Sequence, residues 1–141
     1  MSRISFDEMY LSMAALISQR SIDPFTKVGC VATNDRNELI GASYNGFAPK
    51  YEPFFDPAKN RELKNAIVFH AEQNIILRHQ RGSINTLYLT HSCCRECAKL
   101  IAGHGVKRVV YSSEYHKEQD FKFILKEYGV SFSHQPIQKN D

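Results

Sequence analysis

Apolar positions along the chain fall into blocks whose spacing switches between helical and extended periods. After Ser5, the residues Met9, Tyr10, Met13, Ala14 and Ile17 recur three and four apart, which predicts a helix with one core-facing side, and Ser5 with Glu8 forms the S-x-x-E pattern of a helix start. Val28 to Thr33 and Glu38 to Ser43 are two short runs separated by Asn34-Asp35-Arg36-Asn37, and they predict a β-hairpin. From 44 to about 63 the periodicity is lost among Pro, Gly, Asn and aromatic residues. A loop of that length inside a compact domain is usually functional or disordered.

Regular patterning resumes at His70, which opens a predicted helix over Ala71 to Leu77, followed by a strand at Thr86 to Thr90. A helix beginning at Cys94 is expected to end near Gly103 or Gly105, and Val109 to Tyr111 reads as a strand. Phe121, Ile124, Leu125 and Tyr128 outline a last amphipathic helix, stopped by Gly129, ahead of a short strand near Val130 to Ser133. A helix between the final two strands permits a parallel pairing that a hairpin turn would not. The expected fold class is therefore α/β: a three-layer α/β/α domain with a mixed five-stranded sheet, its last two strands parallel. A single domain is expected over 1–134, with a polar tail at 135–141 that frays.

Composition narrows the setting. The chain has 141 residues, enough for one domain with a core and too few to expect two. A hydrophobic fraction of 43% with 23% charged is ordinary for a globular protein, and no apolar stretch approaches a membrane span or a signal-peptide core. A cytoplasmic protein with no membrane partner is expected. Against 15 Asp and Glu stand 18 Lys and Arg with no basic run, so the charge of +3 gives no argument for nucleic acid, although it suits an anionic small substrate.

The chemistry is concentrated in two short motifs. His70-Ala71-Glu72 and Cys94-Arg95-Glu96-Cys97 supply one imidazole, two thiols three residues apart, and a carboxylate not needed as a ligand. A structural zinc site is normally closed by four protein ligands; one His and two Cys leave a position for water, the mark of a catalytic Zn2+. An H-x-E motif followed by P-C-x-x-C is the signature of the zinc-dependent base deaminases, in which the Glu moves protons. A CxxC alone also fits a redox pair, half of a zinc knuckle or two buried thiols. The upstream His-x-Glu and the intervening strand favour the catalytic reading. Cys93 stands where that signature has proline, and pairing it with Cys97 would give an alternative CxxxC. The two-residue spacing is met only by Cys94 and Cys97, so Cys93 reads as a spare thiol and Cys30, in an apolar run, as core.

Arg20-Ser21-Ile22-Asp23-Pro24-Phe25-Thr26-Lys27-Val28-Gly29 and Tyr44-Asn45-Gly46-Phe47 join these motifs, as does Cys97-Ala98-Lys99-Leu100-Ile101 with Gly105-Val106-Lys107. Together they resemble the deoxycytidylate deaminases, zinc enzymes that convert dCMP to dUMP, over most of the chain from about Phe6 to Gly129. The Tyr-Asn-Gly motif separates this family from the tRNA adenosine and riboflavin-pathway deaminases. The resemblance implies zinc on His70, Cys94 and Cys97, with Glu72 as proton shuttle. It further implies substrate contacts from Ser21, Thr26, Asn45, Ala71 and Tyr115. Members are commonly homohexamers activated by dCTP and inhibited by dTTP, each with Mg2+. The loop carrying Tyr44, Gly46, Phe47 and Lys50 is where part of that effector site is expected. Read from the residues alone, Tyr115 is equally a surface aromatic, and Ser21 and Thr26 are equally turn residues around Asp23-Pro24.

Two departures from the family pattern stand out: Cys93 in place of proline, and a short segment between Phe47 and His70 without the usual acidic insertion. Two other functions remain open. A deaminase of nucleosides or nucleic-acid bases would need a basic groove. A non-catalytic zinc module would need a fourth protein ligand, for which His91, His104 and Cys93 are available.

Overall fold

The computed structural model describes residues 2–115 and 119–137. Its elements are α1 (Phe6–Ser18), β1 (Gly29–Thr33), β2 (Leu39–Tyr44), α2 (Arg61–Ile67), α3 (Ala71–Leu77), β3 (Thr86–His91), α4 (Arg95–His104), β4 (Arg108–Ser113), α5 (Asp120–Glu127) and β5 (Ser131–His134). The sheet runs β2-β1-β3-β4-β5. β1 pairs antiparallel with β2 and β3, while β3–β4 and β4–β5 are parallel, each pair joined through a helix as parallel neighbours require. This is the mixed five-stranded sheet expected from the sequence.

Period-two alternation sorts the sheet's side chains into two cores. Cys30, Ala32, Leu87, Leu89, Val109 and Tyr111 meet Ala71 and Ile75 of α3, Cys97 and Ile101 of α4, and Phe121 and Leu125 of α5. On the opposite face, Val31, Tyr88 and Val110 meet Tyr10, Leu11 and Ala14 of α1. β1 and the first five residues of β3 are buried, as strands covered on both faces should be. The close approach of α1 to β1 needs Gly29: a Cβ there would lie 1.9 Å from the Ala14 carbonyl oxygen.

Local signals act as their chemistry dictates. Ser5 Oγ accepts from the Glu8 N–H at 3.0 Å, and Gly105, at φ 96°, closes α4 in the left-handed conformation. Asp7 in the first turn of α1 receives Arg108 Nη1 at 2.9 Å, the Tyr88 hydroxyl at 2.8 Å and Gln135 Nε2 at 3.1 Å. The helix is thereby fastened to β3, β4 and the chain beyond β5.

Two expectations are corrected. The stretch from 44 to 63 is not wholly irregular, because α2 begins inside it, with Asn60 Oδ1 accepting from the Leu63 N–H at 3.0 Å. The start of the tail is fastened rather than frayed: the Gln135 N–H donates to the Tyr111 carbonyl at 2.8 Å, continuing the ladder on β4, and Ile137 packs on the α1 core. The rest of the expected tail, 138–141, lies outside the described residues. No described helix is long and apolar enough to cross a membrane.

Candidate metal centre and substrate pocket

His70 and Cys94 are both N-cap residues, of α3 and α4, and Cys97 lies three residues into α4. Capping fixes them. Gln73 Oε1 accepts the His70 backbone N–H at 2.7 Å, and Cys94 Sγ accepts the Cys97 N–H at 3.4 Å, so each ligand position is set by the start of its own helix. His70 Nδ1 lies 3.3 Å from Cys97 Sγ and 3.6 Å from Cys94 Sγ. A tetrahedral ion with Zn–S of about 2.3 Å and Zn–N of about 2.0 Å requires N···S edges of roughly 3.5 Å, and both N···S edges here are close to that. Among the described residues this is the group of three metal-ligating side chains whose donor atoms all lie within 4.8 Å of one another.

Cys94 is the thiol that ionises first. A hydrogen bond from the Cys97 thiol, with further help from His70 and the Cys97 N–H, holds it down to about 4 despite burial. Cys97 is pushed up by the neighbouring Cys94 sulfur and by burial, and yields its proton when a metal takes both sulfurs. Glu72, in the first turn of α3, is 4% exposed. Burial pushes its carboxyl above the ordinary range, opposed by the His70 charge and a hydrogen bond with Cys97. A carboxyl raised toward neutrality beside an open metal position is suited to accept and return protons.

The centre opens on a pocket of about 390 Å³, the size range of small-ligand sites. Thr26, Asn45, Ala71 and Tyr115 line it with His70, Glu72 and Cys94. Ser21 does not. It is buried, donates its hydroxyl to the Asn45 carbonyl at 2.8 Å and accepts the Asp23 N–H at 3.2 Å, a position that braces the wall. Asn45 is itself committed to the wall: Oδ1 accepts the Val28 N–H at 2.8 Å and Nδ2 donates to the Thr26 carbonyl at 2.9 Å. Thr26 Oγ1 and the Tyr115 hydroxyl are 3.4 Å apart across the rim.

Tyr44, Gly46, Phe47 and Lys50 do not line this pocket. Gly46 bridges to Phe69 beside the start of α3, Phe47 packs against Tyr51, and Lys50 holds a left-handed backbone at φ 66°. Cys93 is buried in the main core and is not one of the three clustered ligands. His104 Nε2 contacts the His79 carbonyl at 3.1 Å, and His91 Nδ1 lies 2.8 Å from Thr90 Oγ1; neither joins the cluster.

Sequence reasoning missed the buried pair between Lys64 Nζ and Asp23 Oδ2 at 2.7 Å, with side chains 7% and 3% exposed. Asp23 also accepts the N–H groups of Phe25 at 2.8 Å and Thr26 at 3.1 Å, so it ties α2 to the loop that forms the pocket wall. Phe25, Arg61, Asn65 and His91 line the pocket as well. Their spacing gave no warning of it, since only the fold brings 25, 61 and 91 together.

Comparison with known proteins agrees with this geometry. A family model for the cytidine and deoxycytidylate deaminase zinc-binding region matches residues 4–113. The chain is similar to the deoxycytidylate deaminase of Homo sapiens, with 32% identity over 140 residues that cover 92% of this chain and 79% of the relative. Similarity to the deoxycytidylate deaminase of Mycobacterium phage D29 is 34% over 128 residues, covering 81% and 99%. The crystal structure of the dCMP deaminase from cyanophage S-TIM5 in complex with dCMP and dUMP superposes with a TM-score of 0.76 at 28% identity, covering 96% of this chain and all of that one.

Proposed function

This chain belongs to the cytidine and deoxycytidylate deaminase zinc-binding family, and from that premise we propose that it hydrolyses dCMP to dUMP and ammonia. Glu72 carries the reading: a buried carboxyl, raised by its surroundings, beside three metal ligands that leave a coordination position free. The choice of dCMP is supported by the deoxycytidylate deaminases among its relatives and by the dCMP and dUMP held in the cyanophage enzyme.

His70, Cys94 and Cys97 would hold the zinc, which when bound would supply the Lewis acidity that makes water a nucleophile near neutral pH. Glu72 does the proton work. Its carboxylate takes one proton from the attacking water and delivers it to N3 of cytosine, which makes C4 electrophilic toward the water oxygen. It then carries the water's second proton to the 4-amino group; the C4–N bond breaks, ammonia leaves, and C4 keeps the oxygen as the uracil carbonyl. Ala71, Thr26, Asn45 and Tyr115 form walls against which the nucleotide is held, and Ser21 acts through Asn45. Ammonia release from dCMP, deoxycytidine, dCTP and single-stranded DNA, measured side by side, tests the assignment. Turnover greatest on dCMP is expected; preference for single-stranded DNA would overturn it in favour of a nucleic-acid deaminase.

The proposal extends to regulation. dCTP with Mg2+ activates and dTTP inhibits through the loop bearing Tyr44, Gly46, Phe47 and Lys50, in a homohexamer. Support comes from the sequence resemblance and from the position of these residues outside the catalytic pocket, as a separate effector site requires. A cytoplasmic location is supported by Cys94 and Cys97, which serve a metal only as thiolates and so suit a reducing compartment.

A further inference from the structure

A monophosphate substrate carries a dianionic group that the zinc centre does not bind, so the pocket should hold a cation for it. The pocket is lined by four side chains able to carry positive charge: Arg61, Lys64, His70 and His91. His70 belongs to the metal set. Lys64 is already neutralised by Asp23 in a contact that excludes solvent from both partners. His91 is half-buried, and burial lowers its pKa, which keeps the ring neutral near pH 7. Arg61 differs from all three. It is exposed and, among the described residues, has no carboxylate at ion-pair distance.

The fold also holds Arg61 in place. Its guanidinium lies over the Phe25 ring at 4.5 Å from the centroid, and Phe25 lines the same pocket. A guanidinium held over a ring face by cation–π attraction still has N–H groups for other partners, and its fork matches two phosphate oxygens. Both halves of the stack are tied to one anchor. Asp23 accepts the Phe25 N–H, and Lys64, from the helix that Arg61 begins, donates to the same carboxylate. Asn65 is four residues on from Arg61 along α2, on the same helix face, and lines the pocket too.

We infer that Arg61, stacked on Phe25 and assisted by Asn65, is the anchor for the 5′-phosphate, and that α2 makes the enzyme specific for a nucleotide over a nucleoside. The inference rests on the dCMP reading above. Steady-state rates on dCMP and on deoxycytidine test it in the zinc-loaded wild type, Arg61→Gln and Arg61→Lys, with zinc content and thermal melting recorded for each. Arg61→Gln should lower kcat/KM for dCMP by about 10- to 100-fold, mainly through KM, because a charge-assisted pair is lost while the reacting groups are untouched. Deoxycytidine turnover should stay within about two-fold, since it offers no phosphate to the lost cation. Arg61→Lys should fall between, keeping a charge without the fork. Inorganic phosphate should compete with dCMP in the wild type and compete less well in Arg61→Gln. An unchanged KM for dCMP, or equal losses on both substrates, overturns the inference. A wild type that prefers deoxycytidine to dCMP instead overturns the monophosphate reading, independently of any variant.

Discussion

Replacing Lys64 with Met isolates the ion pair on which the pocket wall depends. In the wild type Lys64 Nζ is 2.7 Å from Asp23 Oδ2 and both side chains are under a tenth exposed. Breaking such a pair by removing one partner typically costs about 3–5 kcal/mol, since the other charge stays buried without compensation. Asp23 would keep the N–H donors of Phe25 and Thr26, which are charge-assisted and recover part of that loss. The expected cost is therefore shifted about 1 kcal/mol below that range, to about 2–4 kcal/mol at pH 7. Asp23→Asn should cost a similar amount by stranding the Lys64 ammonium. The double variant, which strands neither charge, should cost less than the two singles added, leaving a coupling of about 2 kcal/mol or more. Urea unfolding of the four zinc-loaded proteins, followed by circular dichroism, measures all the terms of this cycle. Additive losses, or a Lys64→Met cost below about 1 kcal/mol, would refute the view that this pair holds α2 to the pocket wall.

Further outcomes follow from the same geometry. His70→Ala, Cys94→Ala and Cys97→Ala should each lower zinc content and abolish turnover, whereas Cys93→Ala should keep both; metal analysis of the purified variants decides it, and full zinc in Cys94→Ala with loss in Cys93→Ala would reverse the ligand assignment. Asp7, held at about 2 chiefly by Arg108 against opposing burial, gives stability that is fully present above the unfolded carboxylate value and lost as pH falls through its folded one. With Asp7 20% and Arg108 36% exposed, solvent screening reduces that contribution to about 1–2 kcal/mol. The stability gap between wild type and Asp7→Asn should thus be full at pH 5–7 and close between roughly pH 4 and 2; a gap constant with pH would contradict this. If the effector reading holds, dCTP with Mg2+ should make dCMP saturation less sigmoidal and dTTP more so, and curves unchanged by either nucleotide would eliminate the site.

What was legible in the sequence was whatever depends on spacing along the chain. The strands showed through because buried side chains such as Cys30, Ala32, Leu87 and Leu89 share one face of a sheet, and the metal ligands because two of them share the first turn of one helix. α2 did not show. Its buried residue is Lys64, while Leu63 and Ile67 each remain 38% exposed, so the helix has no apolar stripe to betray it. The Asp23–Lys64 pair spans 41 residues and the Phe25–Arg61 stack spans α2's approach, contacts that only tertiary packing creates. The family resemblance implies a ligand contact for Asn45; the structure shows its amide holding the backbone of Val28 and Thr26, a role that no motif spells out.

The most direct test of the central claim is the kcat of Glu72→Gln on dCMP with zinc bound. The amide keeps the shape of the side chain at a 4% exposed position and cannot accept or deliver the proton. Zinc content and melting behaviour should match the wild type, and kcat should fall by about 10²- to 10⁴-fold, the range general acid–base catalysis contributes. A variant that binds zinc normally and keeps more than about a tenth of wild-type kcat would contradict the account, because some other group would then be moving the protons.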